Sequence, residues 1–394
     1  VEAQSKHKKK VYYFSPYDIL RPRTNQISDV RFCEGFVQNN CDITLVVPYT
    51  YRKDNIKKKA VLDFYGVEDK YKVCYLPTLF LGDTDGKAML LVILILNSFL
   101  YLWILFKSIF QKGDIVILSR SPILLFPFLR IRSVLKSRIK IISWIHEIKK
   151  NKADDYVYKN ADFLWGTNSA ITNDLKEMYH FSDDVLGVTN NPVTESQVRA
   201  IVSKVEARKI IKLDTSPLIV YTGKLFIDQL EVKYLMEAAK ELPQYTFLFT
   251  GGKPNVVKHY QEWCSNNNMS NVILVGYLHD YTQLRYYQQA ADVLVSYYTS
   301  KEHDLKYNLP QKIVEYMLTG NPIVTPNFAA TQDVLNEENA IFVEPENTES
   351  LKKGLIKAAE DRELSEQMAK RAFESARNYT FKKSIQKLLT PVLK

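Results

Sequence analysis

Short apolar runs rich in β-branched residues recur along this chain, and longer stretches with apolar positions at helical spacing lie between them. In the first half the runs are Val11–Ser15, Ile43–Val47, Lys72–Leu76, Ile115–Ser119, Ile139–Trp144 and Phe163–Gly166. In the second half they are Leu218–Thr222, Thr246–Thr250, Val272–Val275, Val293–Ser296, Pro322–Thr325 and Ile341–Val343. Near-continuous apolar runs of this length, separated by room for a helix, predict strands of parallel sheets covered on both faces. Ser28–Asn40 places Val30, Cys33, Phe36 and Val37 at helical spacing and reads as the first crossover helix. Two successive series predict two doubly wound α/β domains, with ligands at the carboxyl ends of their strands. The boundary falls near 192–210, after Asn190-Asn191-Pro192-Val193, giving domains over 1–195 and 205–380. Phe381–Lys394 reads as a closing helix that can return to the first domain.

One stretch breaks the alternation. Ala88–Phe106 carries no charge and is flanked by Lys87 and Lys107, long enough to qualify as a membrane span. If the strand-like runs on both sides of it belong to one sheet, however, a span would part them across the bilayer. The expectation is a buried or membrane-grazing helix.

Composition narrows the class. A chain of 394 residues, 46% apolar and 25% charged, is folded rather than disordered and long enough for two cores. Cys33, Cys41, Cys74 and Cys264 show no metal-type spacing, which fits reduced thiols in the cytoplasm. Val1–Lys10 is polar and Lys-rich, so no signal peptide is expected. The formal net charge is +9, and residues 101–150 hold ten basic side chains against two acidic ones. Arg130, Arg132, Lys136, Arg138, Lys140, Lys149 and Lys150 stand there among Leu, Ile and Phe. That mixture suits an anionic membrane surface, which would make the protein peripheral on the inner face of a membrane. A solvated basic face fits equally well. No nucleic-acid motif accompanies the patch, so nucleic acid is not an expected partner. No GxGxxG follows an early strand, and no Walker loop, HExxH or GxSxG occurs, which argues against dinucleotide, P-loop, zincin and α/β-hydrolase chemistry.

The stretch most suggestive of chemistry is Leu309–Val324, LPQKIVEYMLTGNPIV. Pro310 suits the first turn of a helix, Ile313, Val314, Met317 and Leu318 form an apolar stripe, and Gly320 ends it. Free amides at the helix start, around Gln311 and Lys312, would attract a diphosphate. Glu315 lies one turn on, where its carboxylate can accept from ribose hydroxyls. A plain surface pair between Lys312 and Glu315 accounts for the same spacing.

With YTGKL (221–225), FLFTGG (247–252), NVILVGYL (271–278), AADVLVSYY (290–298) and AIFVEPEN (340–347), this stretch resembles the family-4 retaining glycosyltransferases of the GT-B fold. The resemblance is clearest over Ile219–Leu388 and continues more weakly over Val11–Val193. It implies two Rossmann-like domains facing across a cleft in a cytosol-facing enzyme that builds glycans or glycolipids. The donor would be a UDP- or GDP-sugar and the acceptor a lipid-linked or polysaccharide chain. Transfer would retain anomeric configuration, with no bound metal and no cofactor.

The resemblance also assigns roles. Glu315 matches the second glutamate of the family's pair spaced eight apart, which holds the donor ribose. The first falls at Tyr307, Glu302 lies too far upstream, and many relatives carry a Pro-x-Lys version of this loop. Lys224, after Gly223, takes the place of the family's arginine against the diphosphate, where a cation would offset charge on the leaving group. The second basic position is Gln229. His146 in Trp144-Ile145-His146-Glu147 resembles the family's histidine near the transferred sugar. Asn25, with Arg23 and Thr24, occupies the loop where relatives carry glycines facing the phosphates. Gly251, Gly252, Tyr277 and Leu278 border the nucleotide pocket, and Ser119–Arg120 lie toward the acceptor. Tyr307 and Gln229 leave room for a non-catalytic GT-B protein that binds a nucleotide-sugar or glycan and assists a partner. A GT-B epimerase would need further carboxylates that are not recognisable.

Overall fold

The structure, a computed structural model, describes residues 8–20, 24–49, 55–77, 98, 103, 115–132, 139–149, 151–199, 202–215, 217–278, 280–300, 306–307 and 309–392. The chain divides into two compact units, one of Val1–Thr189 with Phe381–Lys394 and one of Asn190–Thr380. The second unit therefore opens on Asn190 and Asn191, both at positive φ.

The first unit holds β1 (Lys10–Phe14), β2 (Asp42–Tyr49), β3 (Lys72–Pro77), β4 (Ile115–Ser119), β5 (Ile139–Ile145), β6 (Phe163–Gly166) and β7 (Leu186–Val188). They pair in parallel in the order β3-β2-β1-β4-β5-β6-β7. The second holds β8 (Leu218–Thr222), β9 (Thr246–Thr250), β10 (Val272–Gly276), β11 (Val293–Val295), β12 (Ile323–Pro326) and β13 (Ile341–Val343). Their order is β10-β9-β8-β11-β12-β13, again parallel. Strand order reverses between β1 and β4 and between β8 and β11, the points where open α/β sheets take ligands.

Burial explains why the strands read as unbroken apolar runs. Val11 and Tyr13 join a core with Phe32, Phe36, Trp144 and Trp165, whereas Tyr12 and Phe14 join another with Leu125 and Phe128. Ile219 and Tyr221 likewise face one core of the second unit, and Leu218 and Val220 the other. With both faces covered, no polar residue is needed at alternate positions.

Two elements differ from expectation. The first helix spans Thr24–Gln38 and so starts earlier than Ser28. β7 was not predicted: its sequence Leu-Gly-Val is short, contains a glycine and is only partly buried. The last helix, Phe381–Val392, belongs to the first unit, where Ile385, Leu388, Leu389 and Val392 enter the Phe32 core. It packs against the Thr24–Gln38 helix at Gly35, where a Cβ would come within 2.9 Å of the Phe381 carbonyl oxygen.

Residues 88–106 lie outside the described residues except for Ser98 and Trp103, both helical. The Trp103 ring meets Tyr12 edge-on at 4.9 Å and Phe14 at 6.4 Å. Among the described residues no helix is long and apolar enough to cross a membrane.

Candidate functional site

Each unit gathers polar groups at the carboxyl edge of its sheet. In the second unit the loops after β8, β9 and β10 are stitched together by backbone. Gly223 N–H donates to the Thr250 carbonyl at 3.3 Å, and Gly251 N–H donates to the Gly276 carbonyl at 2.6 Å. Gly251 sits at φ +116°, and a Cβ there would fall 1.8 Å from the Gly223 carbonyl oxygen. Only glycine fits. Gly252 and Gly276 also have positive φ; Gly276 belongs to this edge although the sequence did not single it out. Lys224 follows on the same rim, exposed and without an ion pair among the described residues. Tyr277 is 65% exposed and Leu278 half-buried beside it.

Lys312 behaves differently from expectation. Its helix is only Lys312–Met317, with Pro310 buried ahead of it and Gln311 at the cap. Six residues align too few peptide dipoles for a strong anion site at the helix start. The Lys312 side chain instead turns inward, not toward Glu315. Its Nζ donates to the Thr222 carbonyl at 3.2 Å and lies 4.0 Å from the Tyr221 ring centroid and 4.9 Å from that of Tyr298. A Cβ on Gly223 would come within 3.3 Å of this nitrogen, so the amine lies directly behind the Gly223 loop. Burial lowers its pKa to about 7, against the pull of Glu231 and Glu315. Glu231 is fully buried and accepts from the Thr299 backbone and hydroxyl. Sequence reasoning missed it, because a glutamate in the first turn of a helix (Leu230–Glu241) ordinarily faces water.

Glu315 is half-buried and accepts from Gln288 Nε2 at 3.4 Å, while Gln288 also donates to Thr222 Oγ1 at 3.2 Å. The neighbouring Tyr316 hydroxyl accepts from Thr222 N–H at 2.9 Å. Thr222 thus meets Lys312 directly and shares Gln288 with Glu315 at the end of β8. Gln229 is engaged in the backbone, its Oε1 accepting from Phe226 N–H at 3.1 Å. Tyr307 is half-buried with the Lys306 amine 5.5 Å from its ring centroid, and Glu302 lies outside the described residues.

In the first unit, β1, β4 and β5 bring His146 and Arg120 together. Arg120 Nη1 pairs with Asp29 Oδ1 at 2.9 Å, and its Nη2 lies 3.1 Å from His146 Nδ1. Asp29 also accepts from the Tyr13 hydroxyl at 2.7 Å and from Ser15 Oγ at 2.5 Å. The Arg120 side chain is 8% exposed and that of Asp29 fully buried, so Arg120 is committed internally and is not an open acceptor contact. Ser119 is not one either. It is fully buried, donates to the Phe14 carbonyl at 2.6 Å and accepts from Ser121 N–H at 3.0 Å. The resemblance placed both toward the acceptor, yet both side chains are buried and bonded within the first unit.

Asn25 falls in the first turn of the Thr24–Gln38 helix rather than in a loop; Arg23 is outside the described residues. Of the basic patch, Arg132 is paired with Asp162 at 3.0 Å, and Arg130 lies exposed against Phe126 and Tyr156. Lys140 and Lys149 are exposed, and Lys136, Arg138 and Lys150 lie outside the described residues.

Residues 216–361 match the family described as glycosyl transferases, group 1. No curated protein matches the sequence. Among solved structures, the chain is similar to HepE of Anabaena in complex with UDP, at 13% identity and a TM-score of 0.69, covering 97% of this chain and 99% of that one. Sucrose-phosphate synthase of Thermosynechococcus elongatus is similar at 14% identity and a TM-score of 0.71, covering 98% and 99%. The lipopolysaccharide outer core galactosyltransferase WaaB, in its apo form, is similar at 14% identity and 0.65, covering 96% and 99%. At such identities the likeness is one of fold, and that fold is GT-B.

Proposed function

We propose that this protein is a glycosyltransferase that takes a sugar from a nucleotide-diphosphate donor and retains its anomeric configuration. The observation that carries the reading is the edge of the second sheet, where glycine-linked loops expose backbone between Lys224, the buried Lys312 amine and the Glu315 carboxylate. Those are the groups a diphosphate and a ribose require: cations against two phosphates and an acceptor for the sugar hydroxyls. The edge lies within the segment that matches the glycosyl transferase family, and the similar HepE structure is a complex with UDP. The HepE complex favours a UDP-sugar, with a GDP-sugar as the other class.

In this reading Lys224 and Lys312 meet the charge that grows on the leaving diphosphate, the largest electrostatic demand when the glycosidic bond breaks ahead of attack. Lys312 then supplies the second cation absent at Gln229. Glu315 holds the ribose. His146 serves the transferred sugar, and the acceptor is a glycan, a lipid-linked sugar or a polysaccharide. The acceptor hydroxyl attacks from the face the diphosphate leaves, and the departing phosphate oxygen takes its proton, so neither a carboxylate base nor a metal is required. The exposed basic residues around Arg130 would keep the enzyme on the inner face of an anionic membrane.

A second reading is a non-catalytic nucleotide-sugar binder, favoured by Gln229 being spent on the Phe226 amide. A thermal-shift series with UDP, GDP, ADP and CMP tests the common ground, since a ligand of the native state raises the melting temperature. UDP or GDP should stabilise and CMP should not. No shift with any nucleoside diphosphate would sink both readings.

A further inference from the structure

A buried ring nitrogen at the end of β5 has no partner among the described residues. His146 Nε2 is shielded from solvent and meets no hydrogen-bonding atom, while the ring's other nitrogen faces Arg120 Nη2 at 3.1 Å. A guanidinium carries donors only, so the nitrogen that faces it must be the unprotonated one. The proton of the neutral imidazole then sits on Nε2. The result is a buried N–H donor with no protein acceptor among the described residues, a donor that a bound hydroxyl or a water would satisfy.

Arg120 is not free to turn away. Its guanidinium is clamped by Asp29, which is itself held by Tyr13 from β1 and by Ser15, and lies 5.4 Å from the Tyr17 ring and 5.5 Å from the Trp144 ring. Trp144 meets the His146 ring edge-on at 4.4 Å, which limits its rotation. The charged and titratable groups around the imidazole are Arg120 at the end of β4, Asp29 behind it on the Thr24–Gln38 helix, and Tyr13 and Tyr17 from the β1 side. Burial, and then the Arg120 charge, hold the ring's pKa well below its ordinary value.

We propose that Arg120 is a positioning residue that fixes His146 as a neutral Nε2–H donor to a hydroxyl oxygen of the sugar, with Asp29 as its anchor. A neutral donor suits an uncharged hydroxyl, whereas a phosphate there would draw a second proton onto the ring. The sugar in this inference rests on the glycosyltransferase reading; the tautomer does not.

The test is nitrogen–proton correlation spectroscopy of the full chain labelled at its histidine rings, with His146 assigned by the signal lost in His146→Asn. The wild type should show a neutral Nε2–H ring at pH 7 and still be neutral where an ordinary histidine has already taken its second proton. Arg120→Met should return the ring to ordinary titration or to the other tautomer. Hydrolysis of UDP-glucose, UDP-galactose or GDP-mannose, whichever the wild type turns over, should then fall roughly ten-fold in kcat and gain an acidic limb. Because that change strands Asp29, Asp29→Asn with Arg120→Met gives a neutral pair that should show the same ring behaviour. Arg120→Lys should restore the Nε2–H form. An Nδ1–H or charged His146 in the wild type, or an unchanged ring in both methionine variants, would overturn the proposal. A wild type that hydrolyses no donor would refute the glycosyltransferase reading and leave the tautomer result standing.

Discussion

Replacing Lys312 with methionine should flatten the pH dependence of stability in the second unit. The amine is buried under Tyr221 and Tyr298, and its pKa is lowered to about 7. In the unfolded chain it returns to roughly 10.4. The folded value lies below the unfolded one, so between these pH values the unfolded state binds about one more proton, and stability rises with pH. The slope is about 1.4 kcal/mol per pH unit. From pH 7.5 to 9 the wild type should therefore gain roughly 2 kcal/mol that Lys312→Met does not. Stopping at pH 9 keeps the neighbouring tyrosines out of the comparison, since burial raises Tyr221, Tyr298 and Tyr316. Urea denaturation followed by circular dichroism, wild type against variant at both pH values, measures the difference. Methionine leaves the Thr222 carbonyl with one donor fewer, an offset that is the same at both pH values and cancels. A wild-type advantage that stays constant or shrinks toward pH 9 would refute the placement of a neutral, buried amine. In the donor-binding reading the same amine recharges against diphosphate, so UDP binding at pH 8.5 should take up nearly one proton, measured by calorimetry in buffers of different ionisation enthalpy.

Glu315→Gln should raise donor KM more than it lowers kcat, because a ribose contact is made equally in ground and transition states. Lys224→Ala should cut kcat by about 10²-fold, as expected for loss of one preorganised charge, and steady-state kinetics on one donor distinguishes the two patterns. Gly251→Ala must move the Gly223 loop away from a Cβ otherwise 1.8 Å from its carbonyl oxygen. It should cost roughly 2–4 kcal/mol by denaturation, and a wild-type midpoint would show the loops are not tied as described. Changing Arg130, Lys140 and Lys149 to Gln should weaken binding to anionic vesicles by about 1 kcal/mol per charge in a sedimentation assay at low salt. Unchanged sedimentation would remove these residues from any membrane contact.

The strands were legible because a sheet buried on both faces needs short unbroken apolar runs, and these recur at spacings that leave room for a helix between them. β7 escaped because Leu186-Gly187-Val188 is an edge strand, only partly buried, with no run to recognise. The glycines of the second sheet's edge were visible as letters, but the reason for Gly251 lies in the approach of Gly223, a contact between two loops. Polar strand-end residues were the least legible. Ser119 and Arg120 were placed toward the acceptor, yet one binds the Phe14 carbonyl and the other the Asp29 carboxylate, partners far away along the chain. Lys312 and Glu315 have the spacing of a surface ion pair, and only the burial of Tyr221 and Tyr298 around the amine separates them. Charge patterning along a helix cannot register a side chain that leaves its own helix face for a neighbouring strand.

The most direct test of the account is turnover of nucleotide-sugars followed by proton NMR. The purified protein would be incubated without acceptor in a panel of UDP- and GDP-hexoses, and both the nucleotide and the anomeric signals recorded with time. Slow release of a nucleoside diphosphate is predicted, with the freed hexose appearing first in the donor's own anomeric configuration and before mutarotation. A protein that binds UDP or GDP but releases sugar from no donor, or that returns the donor epimerised, would contradict it.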